Sequence, residues 1–298
     1  MVHPGTATAA ARQWRKAAGL CTVSETAGQT RDRAGMNKGM DTCPVVRLSR
    51  HGVVGTDQAV AREFALTIKV NGRELVSLVC SPMDLEYLVA GVLLSEGMIS
   101  DGHDIREIVI DQQACEARVQ TEYRQSAPGA NTARGSHVPA GQGTVTGDLS
   151  AGVPSIAHLD STVSARQLSA LVKAFNQGSR LYSLTHGVHS AALCENAGIV
   201  LFTEDIGRRN AIDRVFGRSL VGGILTQNRI LVTSCRVSSE VVLRVARRGI
   251  PILASISTAT DAAIRSAGRV GMTLICQATE TGMDIYTNPW RITGAGGR

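Results

Sequence analysis

Ile199-Val200-Leu201-Phe202 runs into Thr203-Glu204-Asp205-Ile206-Gly207-Arg208-Arg209-Asn210, and Arg229-Ile230-Leu231-Val232-Thr233 runs into Ser234-Cys235-Arg236-Val237-Ser238-Ser239-Glu240. Each is a short apolar run, a polar turn and then a helical pattern, from about Asn210 in the first case and over Ser239 to Arg248 in the second, stopped by Gly249. The alternation continues with a strand over Ile250 to Ala254, a helix over Ala259 to Ala267 and a strand over Met272 to Ile275. Strand–helix alternation at this spacing predicts right-handed crossovers and a largely parallel sheet. An α/β unit is therefore expected over 161–292.

Ligands of such sheets bind beyond the carboxyl ends of the strands, where both polar turns fall. Each turn also opens a helix, whose free N–H groups and positive dipole end favour an anion. Arg208, Arg209 and Arg236 add planar donors suited to phosphate or carboxylate. Asp205 and Asp213 could accept from a base or sugar. On the plainer alternative, Asp205 and Ser238 are helix caps and the arginines are solvated. Cys235 beside Arg236 at a helix start is expected to have a lowered pKa and thiolate character, which would make it a nucleophile or sulfur carrier; the alternative is a small buried residue. His186 and His189 stand three apart upstream of Cys194. That spacing admits zinc, but a histidine hydrogen-bonded at a ligand pocket fits the surrounding small residues better, and no metal is expected.

Upstream of this unit, Ser164 and Gln167 form a capping box for a helix to Gln177, with Leu168, Leu171, Val172 and Phe175 inward. Residues 125–160 form a loop rich in Gly, Ala, Ser, Thr and Pro, and a loop of that length is usually mobile, functional or both. Residues 45–124 read as a smaller α+β part. Phe64, Leu66, Ile68 and Val70 alternate, Asn71-Gly72 supplies a type I′ turn, and Leu75 to Val79 returns. A helix is then expected with Ser81 as N-cap, Pro82 at its first position, Asp84 completing the start, and Gly97 at its end. Residues 1–44 show no sustained period and read as a disordered tail, a transit peptide or a mis-started N-terminus, with Met36 and Met40 as other starts.

The formal charge of +6 is uneven: residues 1–50 and 201–250 each carry +5, and the rest is slightly acidic. Half of the excess thus sits in the tail, which argues against general nucleic-acid binding. Seven cysteines, at 21, 43, 80, 115, 194, 235 and 276, are an odd number with no close pair and no secretory signal, so reduced thiols and a cytoplasmic location are expected. No apolar run approaches the roughly 20 residues needed to cross a bilayer, so no membrane partner is expected.

Taken together, the motifs resemble the formate dehydrogenase accessory protein family, sulfurtransferases that deliver sulfur to the molybdenum cofactor. The resemblance runs from about Arg47 to Ile292. It rests on Glu63 to Val70 with Asn71-Gly72, Ser81-Pro82 through Glu96-Gly97, Gly187-Val188-His189, and Glu204-Asp205-Ile206-Gly207-Arg208 with Asn210 and Asp213. Thr233-Ser234, Arg236-Val237-Ser238-Ser239-Glu240 and Ile285-Tyr286-Thr287 complete it. What it implies is a three-layer, cytidine-deaminase-like α/β fold and a cytoplasmic homodimer. It also implies sulfur received from a cysteine desulfurase, and molybdenum bis(molybdopterin guanine dinucleotide) bound on its way to formate dehydrogenase. Carried onto this chain, the cofactor-binding positions are Gly187, His189, Asp205, Gly207, Arg208, Asn210, Asp213, Ser234, Arg236, Ser238, Ser239, Glu240 and Gly282.

The chain departs from the family where sulfur is carried. The family has a C-x-x-C within Ser-Cys-Gly-Val-Cys; here Ser150-Ala151-Gly152-Val153-Pro154 matches best, with Ala151 and Pro154 replacing both thiols. Arg209 replaces a histidine, Cys235 stands where glycine is usual, and Gln277 to Gly282 matches poorly. Two readings follow: sulfur transfer, with Cys235 as the candidate carrier, or a divergent cofactor-binding chaperone without it. A zinc deaminase, suggested by fold analogy alone, lacks the H-x-E and P-C-x-x-C ligands.

Overall fold

The computed structural model describes residues 39–122, 153–196 and 198–294. Most of the tail, most of the expected mobile loop and Ala151 lie outside these residues. Within them, the tail boundary moves: β1 (Met40–Ser49) already begins a hairpin with β2 (Gly52–Ala61).

The smaller part follows, as β3 (Phe64–Val70), β4 (Arg73–Cys80), α1 (Leu85–Ser95), β5 (Ile105–Asp111) and β6 (Glu116–Thr121), with sheet order β4-β3-β6-β5. Asn71 and Gly72 have φ of 48° and 80°, the positive values that a type I′ turn requires.

The larger part contains β7 (Val163–Ser164), α2 (Ala165–Gly178), α3 (Arg180–Thr185), β8 (His189–Glu195), β9 (Gly198–Asp205), α4 (Arg208–Gly222) and β10 (Ile230–Thr233). It continues with α5 (Ser239–Arg247), β11 (Ile252–Ser255), α6 (Asp261–Val270), β12 (Thr273–Cys276), β13 (Asp284–Thr287) and β14 (Ile292–Thr293). Its sheet runs β13-β12-β11-β10-β8-β9. β10, β11 and β12 are parallel, as the alternation predicts. The expectation of a largely parallel sheet needs correction elsewhere: β8 lies between β9 and β10 and runs antiparallel to both, and β13 is an antiparallel edge. The short turn between β8 and β9 makes a hairpin, and α4 then carries the chain past β8 to β10.

Alternation along the strands feeds two cores. Ala192, Cys194, Ile230, Val232, Ile252, Ala254 and Ile275 pack with Leu168, Leu171, Val172 and Phe175 of α2. Ala191, Leu193, Leu231, Leu253 and Leu274 join the cluster built from α4, α5, α6, α1 and the four-stranded sheet. The two parts meet backbone to backbone. A Cβ on Gly91 of α1 would fall 1.8 Å from the Asp213 carbonyl oxygen, and one on Gly217 of α4 would fall 1.8 Å from that of Tyr87. Only glycine fits at that crossing.

At the opposite end of the sheet, Arg291 is 1% exposed. It donates to the carbonyls of Leu159 at 3.1 Å, Gly271 at 2.8 Å, Ile156 at 3.0 Å and Ala157 at 3.2 Å, and to Thr273 Oγ1 at 3.2 Å. Parallel pairing of β14 with β7 closes the same corner.

Candidate functional site

The loop after β9 is organised by Asp205, which is fully buried. Its Oδ1 accepts from the Gly207 N–H at 2.7 Å and from Asn210 Nδ2 at 2.9 Å. Its Oδ2 accepts from the Ser81 N–H at 3.2 Å and pairs with Arg214, whose Nε and Nη2 lie at 2.8 and 2.7 Å. Arg214 in turn donates to the carbonyls of Ser81 at 2.6 Å, Asp84 at 3.0 Å and Met83. Ser81 Oγ accepts from the Ile206 N–H at 3.1 Å.

Ser81 is therefore not the N-cap expected from the sequence. That position belongs to Asp84, in the left-handed region at φ 42° with no side-chain cap bond. Arg214 collects the carbonyls of the turn and holds it open ahead of the helix. Gly207 is required for a related reason: its Cβ would fall 2.4 Å from Asn210 Nδ2.

A second network, buried at Asp213 and Arg244 and opening to the surface at Glu96, Glu240 and Arg209, ties α1, α4 and α5 together. Asp213 Oδ1 accepts from Ser95 Oγ at 2.5 Å and from Arg244 at 3.2 Å. Arg244 also pairs with Glu96 at 2.6 Å and Glu240 at 3.1 Å, and Glu240 pairs with Arg209 at 2.6 Å. Burial pushes the Asp213 carboxyl up to about 6, against the pull of Arg244 and the Ser95 hydrogen bond. Asp205, Asn210, Asp213 and Glu240, all placed at the ligand by sequence reasoning, thus spend these acceptors and donors on the chain itself. For Asp205 and Asp213 the base- or sugar-accepting alternative gives way to an internal, structural one.

What faces outward is cationic. His189 pairs in register with Asp205, and Ser190 and Ser234 exchange bonds, Ser190 N–H to Ser234 Oγ at 2.9 Å and Ser234 N–H to the Ser190 carbonyl at 3.0 Å. These contacts bring Gly187, His189, Gly207, Arg208, Ser234 and Arg236 to one end of the sheet, at the carboxyl ends of β9 and β10. Arg208 and Arg236 are exposed and His189 half-buried. Burial, then the nearby Arg208 charge, hold the His189 pKa below its usual value, with Asp205 pulling the other way; the imidazole is neutral at neutral pH. The loops after β10, β11 and β12 are laced into one rim. Val237 N–H donates to Thr258 O at 2.9 Å, Thr260 N–H to Val237 O at 3.0 Å, and Gln277 N–H to Ser257 O at 2.7 Å. Gly282 is exposed in the β12–β13 connection beyond this rim. Ser238 caps α5 by accepting from Val241 N–H at 3.5 Å, as the plainer alternative holds, and Ser239 begins the helix.

The expectation for Cys235 is overturned. The side chain is fully buried rather than at the helix mouth, and Thr233 Oγ1 lies 3.2 Å from its sulfur. Burial raises its pKa, outweighing the lowering effects of Thr233 and Arg208. A thiol held protonated and out of solvent is a poor nucleophile. His186 is exposed and sits edge-on to Tyr182 at 5.2 Å. Among the described residues no group of three or more His, Cys, Asp or Glu side chains could hold a metal ion. None of the described helices is long and apolar enough to cross a membrane.

Sequence reasoning missed Ser81, Arg214 and Arg244 as the residues that hold the site. It also missed Glu204, whose carboxylate accepts from Ser179 Oγ at 2.9 Å and from the N–H groups of Leu181 at 3.2 Å and Tyr182 at 3.1 Å, fixing the start of α3. The available signal was charge inside apolar helical stretches, as in Ile212-Asp213-Arg214-Val215-Phe216.

A mixed α/β protein with an arginine-bearing rim at its strand ends is the class that fold and site define. The chain belongs to the FdhD/NarQ family, which matches residues 61–293. It is 33% identical over 257 residues to the sulfur carrier protein FdhD of Bacillus subtilis (strain 168), covering 83% of this chain and 95% of that one. It is 34% identical over 269 residues to the protein of the same name from Bacillus pumilus (strain SAFR-032), covering 87% and 100%. Among solved structures it is similar to a chain from Desulfotalea psychrophila described as a formate dehydrogenase accessory protein. That match has a TM-score of 0.71 and 27% identity, and covers 85% of this chain and 99% of the other.

Proposed function

We propose that this protein serves formate dehydrogenase maturation, binding molybdenum bis(molybdopterin guanine dinucleotide) at the strand-end rim as it receives sulfur. The observation that carries the reading is the unequal use of charge there. The acids of both loops are occupied inside the chain, while Arg208 and Arg236 are presented outward beside a neutral His189. That arrangement suits a pyrophosphate, with imidazole and Ser234 left for uncharged polar groups of the ligand. The names of the relatives support a sulfur carrier, with a cysteine desulfurase as donor, formate dehydrogenase as recipient, a cytoplasmic location and a homodimer as parts of the same proposal. The fold detail supports it too. Of β8 to β12, the first lies between the second and third and runs against them, which suits a cytidine-deaminase-like sheet with helices on both faces.

A second reading, cofactor binding without sulfur transfer, is favoured by one observation: Pro154 holds no thiol and Cys235 is sealed. Calorimetry with guanosine diphosphate tests binding. Arg208→Ala and Arg236→Ala should each weaken it about tenfold, the low end for a charge-assisted hydrogen bond near solvent; unchanged affinity in both would end the reading. Mass spectrometry after incubation with a desulfurase and cysteine separates the two. A cysteine gaining the mass of one sulfur atom supports transfer, and unmodified cysteines throughout support the binding-only reading.

A further inference from the structure

The β1–β2 hairpin is an arm. Its base is anchored, with α3 packed along β2 and Gly187 set so closely that a Cβ there would meet that of Ala61 at 3.0 Å. Among the described residues, most of its outer half is exposed. Register puts Leu48 opposite Val53, Val46 opposite Gly55 and Pro44 opposite Asp57, so these six share one face. On that face Val46 is 74%, Leu48 79% and Val53 64% exposed. The other face carries Arg47 opposite Val54, both exposed, and Val45 opposite Thr56, both half-buried, so it is charged and covered toward its base. A two-stranded ribbon is marginal in water without a layer against its apolar face.

We propose that the layer is the same arm of a second copy of this chain, laid face to face and antiparallel about a two-fold axis between Val46 and Leu48. Three features of the face fit itself. A Cβ at Gly55 would meet nothing, so the spot beside Val46 is open, and in this register Leu48 of the partner subunit seats over it. The apolar centre carries no charge, so no group meets its own like-charged copy. At each end Asp57, exposed near the arm's base, lies level with the turn that bears Arg50 of the partner subunit, giving two symmetry-related ion pairs. The three apolar side chains expose on the order of 350 Å², against about 800 Å² per partner in a standard interface. Pro44, the turn residues and the ribbon backbone lie beside them to extend the contact. A contact in which each patch meets its own copy closes at two subunits.

This interface deepens the homodimer reading and rests on it. The test is sedimentation equilibrium of the full chain, with circular dichroism of every variant. The wild type should be a dimer. Leu48→Asp should raise the dimer dissociation constant about 30-fold or more, the size of a central interface loss. Arg50→Asp and Asp57→Arg should each weaken the dimer, and the double reversal Arg50→Asp with Asp57→Arg should recover most of it. Both residues are exposed, so this arm of the test holds even if Leu48→Asp misfolds. A wild-type dimer indifferent to Leu48→Asp and to both charge changes overturns the arm interface and leaves the homodimer standing. A monomeric wild type overturns both.

Discussion

Removing the Asp205 carboxylate is the sharpest test of how the strand-end loop is held. In Asp205→Ala the side chain of Arg214, 3% exposed, keeps its carbonyl partners but loses its counter-ion; Gly207 N–H and Ser81 N–H lose their acceptor, and the Asn210 amide is left with the Val79 carbonyl. Breaking a buried ion pair by deleting one partner costs about 3–5 kcal/mol. The three carbonyls still bonded to Arg214 put the expected value in the lower half, about 3–4 kcal/mol. For a fold of this size each kcal/mol lowers Tm by about 2–4 °C, so a drop of about 10 °C should be seen by thermal circular dichroism. Urea titration should give a matching fall in midpoint with an unchanged slope. A double-mutant cycle with Arg214→Met isolates the pair, and a coupling of at least about 2 kcal/mol is expected. Additive losses, or a Tm change under about 2 °C in Asp205→Ala, would refute the claim that this pair latches the smaller part to the site.

Two further substitutions probe the crossing of α1 and α4. Gly217→Ala drives a methyl onto the Tyr87 carbonyl and should cost about 2–3 kcal/mol in urea unfolding; a loss under about 0.5 kcal/mol would contradict the backbone contact. Asp213 is an acid whose folded pKa, about 6, lies above its ordinary value of 3.8. The folded state therefore binds the proton more tightly, and this group's contribution to stability falls as pH rises from about 4 to 6. Asp213→Asn should remove that part of the pH dependence. Stability at pH 7 should fall by no more than about 1 kcal/mol, because Arg244 keeps Glu96 and Glu240. Unfolding curves at pH 5 and pH 7 whose difference matches the wild type's would count against the assignment.

Local signals in the sequence translated directly. The Ser164–Gln167 capping box is present with both of its bonds, Asn71-Gly72 makes the hairpin turn, and Gly97 and Gly249 follow their helices at positive φ. Those features depend on neighbours a few residues apart. β8 was obscured because His189-Ser190 is polar and Ala191-Ala192 has little strand preference; the strand exists because it is buried between β9 and β10. Ser81 read as a cap because its context, Ser-Pro two residues before an acid, is a cap context. Its partners Asp205, Ile206 and Arg214 lie more than 120 residues away. The same distance hid the site's division of labour. Sequence placed the polar residues at the strand ends, but which charges face inward is decided by α1 packing over α4. Cys235 followed the same logic: the helix begins at Ser239, as the sequence indicates, but burial under the rim turns an expected thiolate into a sealed thiol.

Arg291 has a consequence for how distant stretches of the chain are brought into one corner. The corner it fills is lined by carbonyls from 156–159 and by Gly271, and its charge has no carboxylate among its bonded partners. Until that guanidinium is in place, the carbonyls of Ile156, Ala157 and Leu159 lack the donor that gathers them, and the Ile156 N–H bond to the Val270 carbonyl at 2.8 Å is left to tie the segment to the end of α6. That corner thus joins the 156–159 segment to a residue more than 130 positions further along the chain, and it closes only when both are in place.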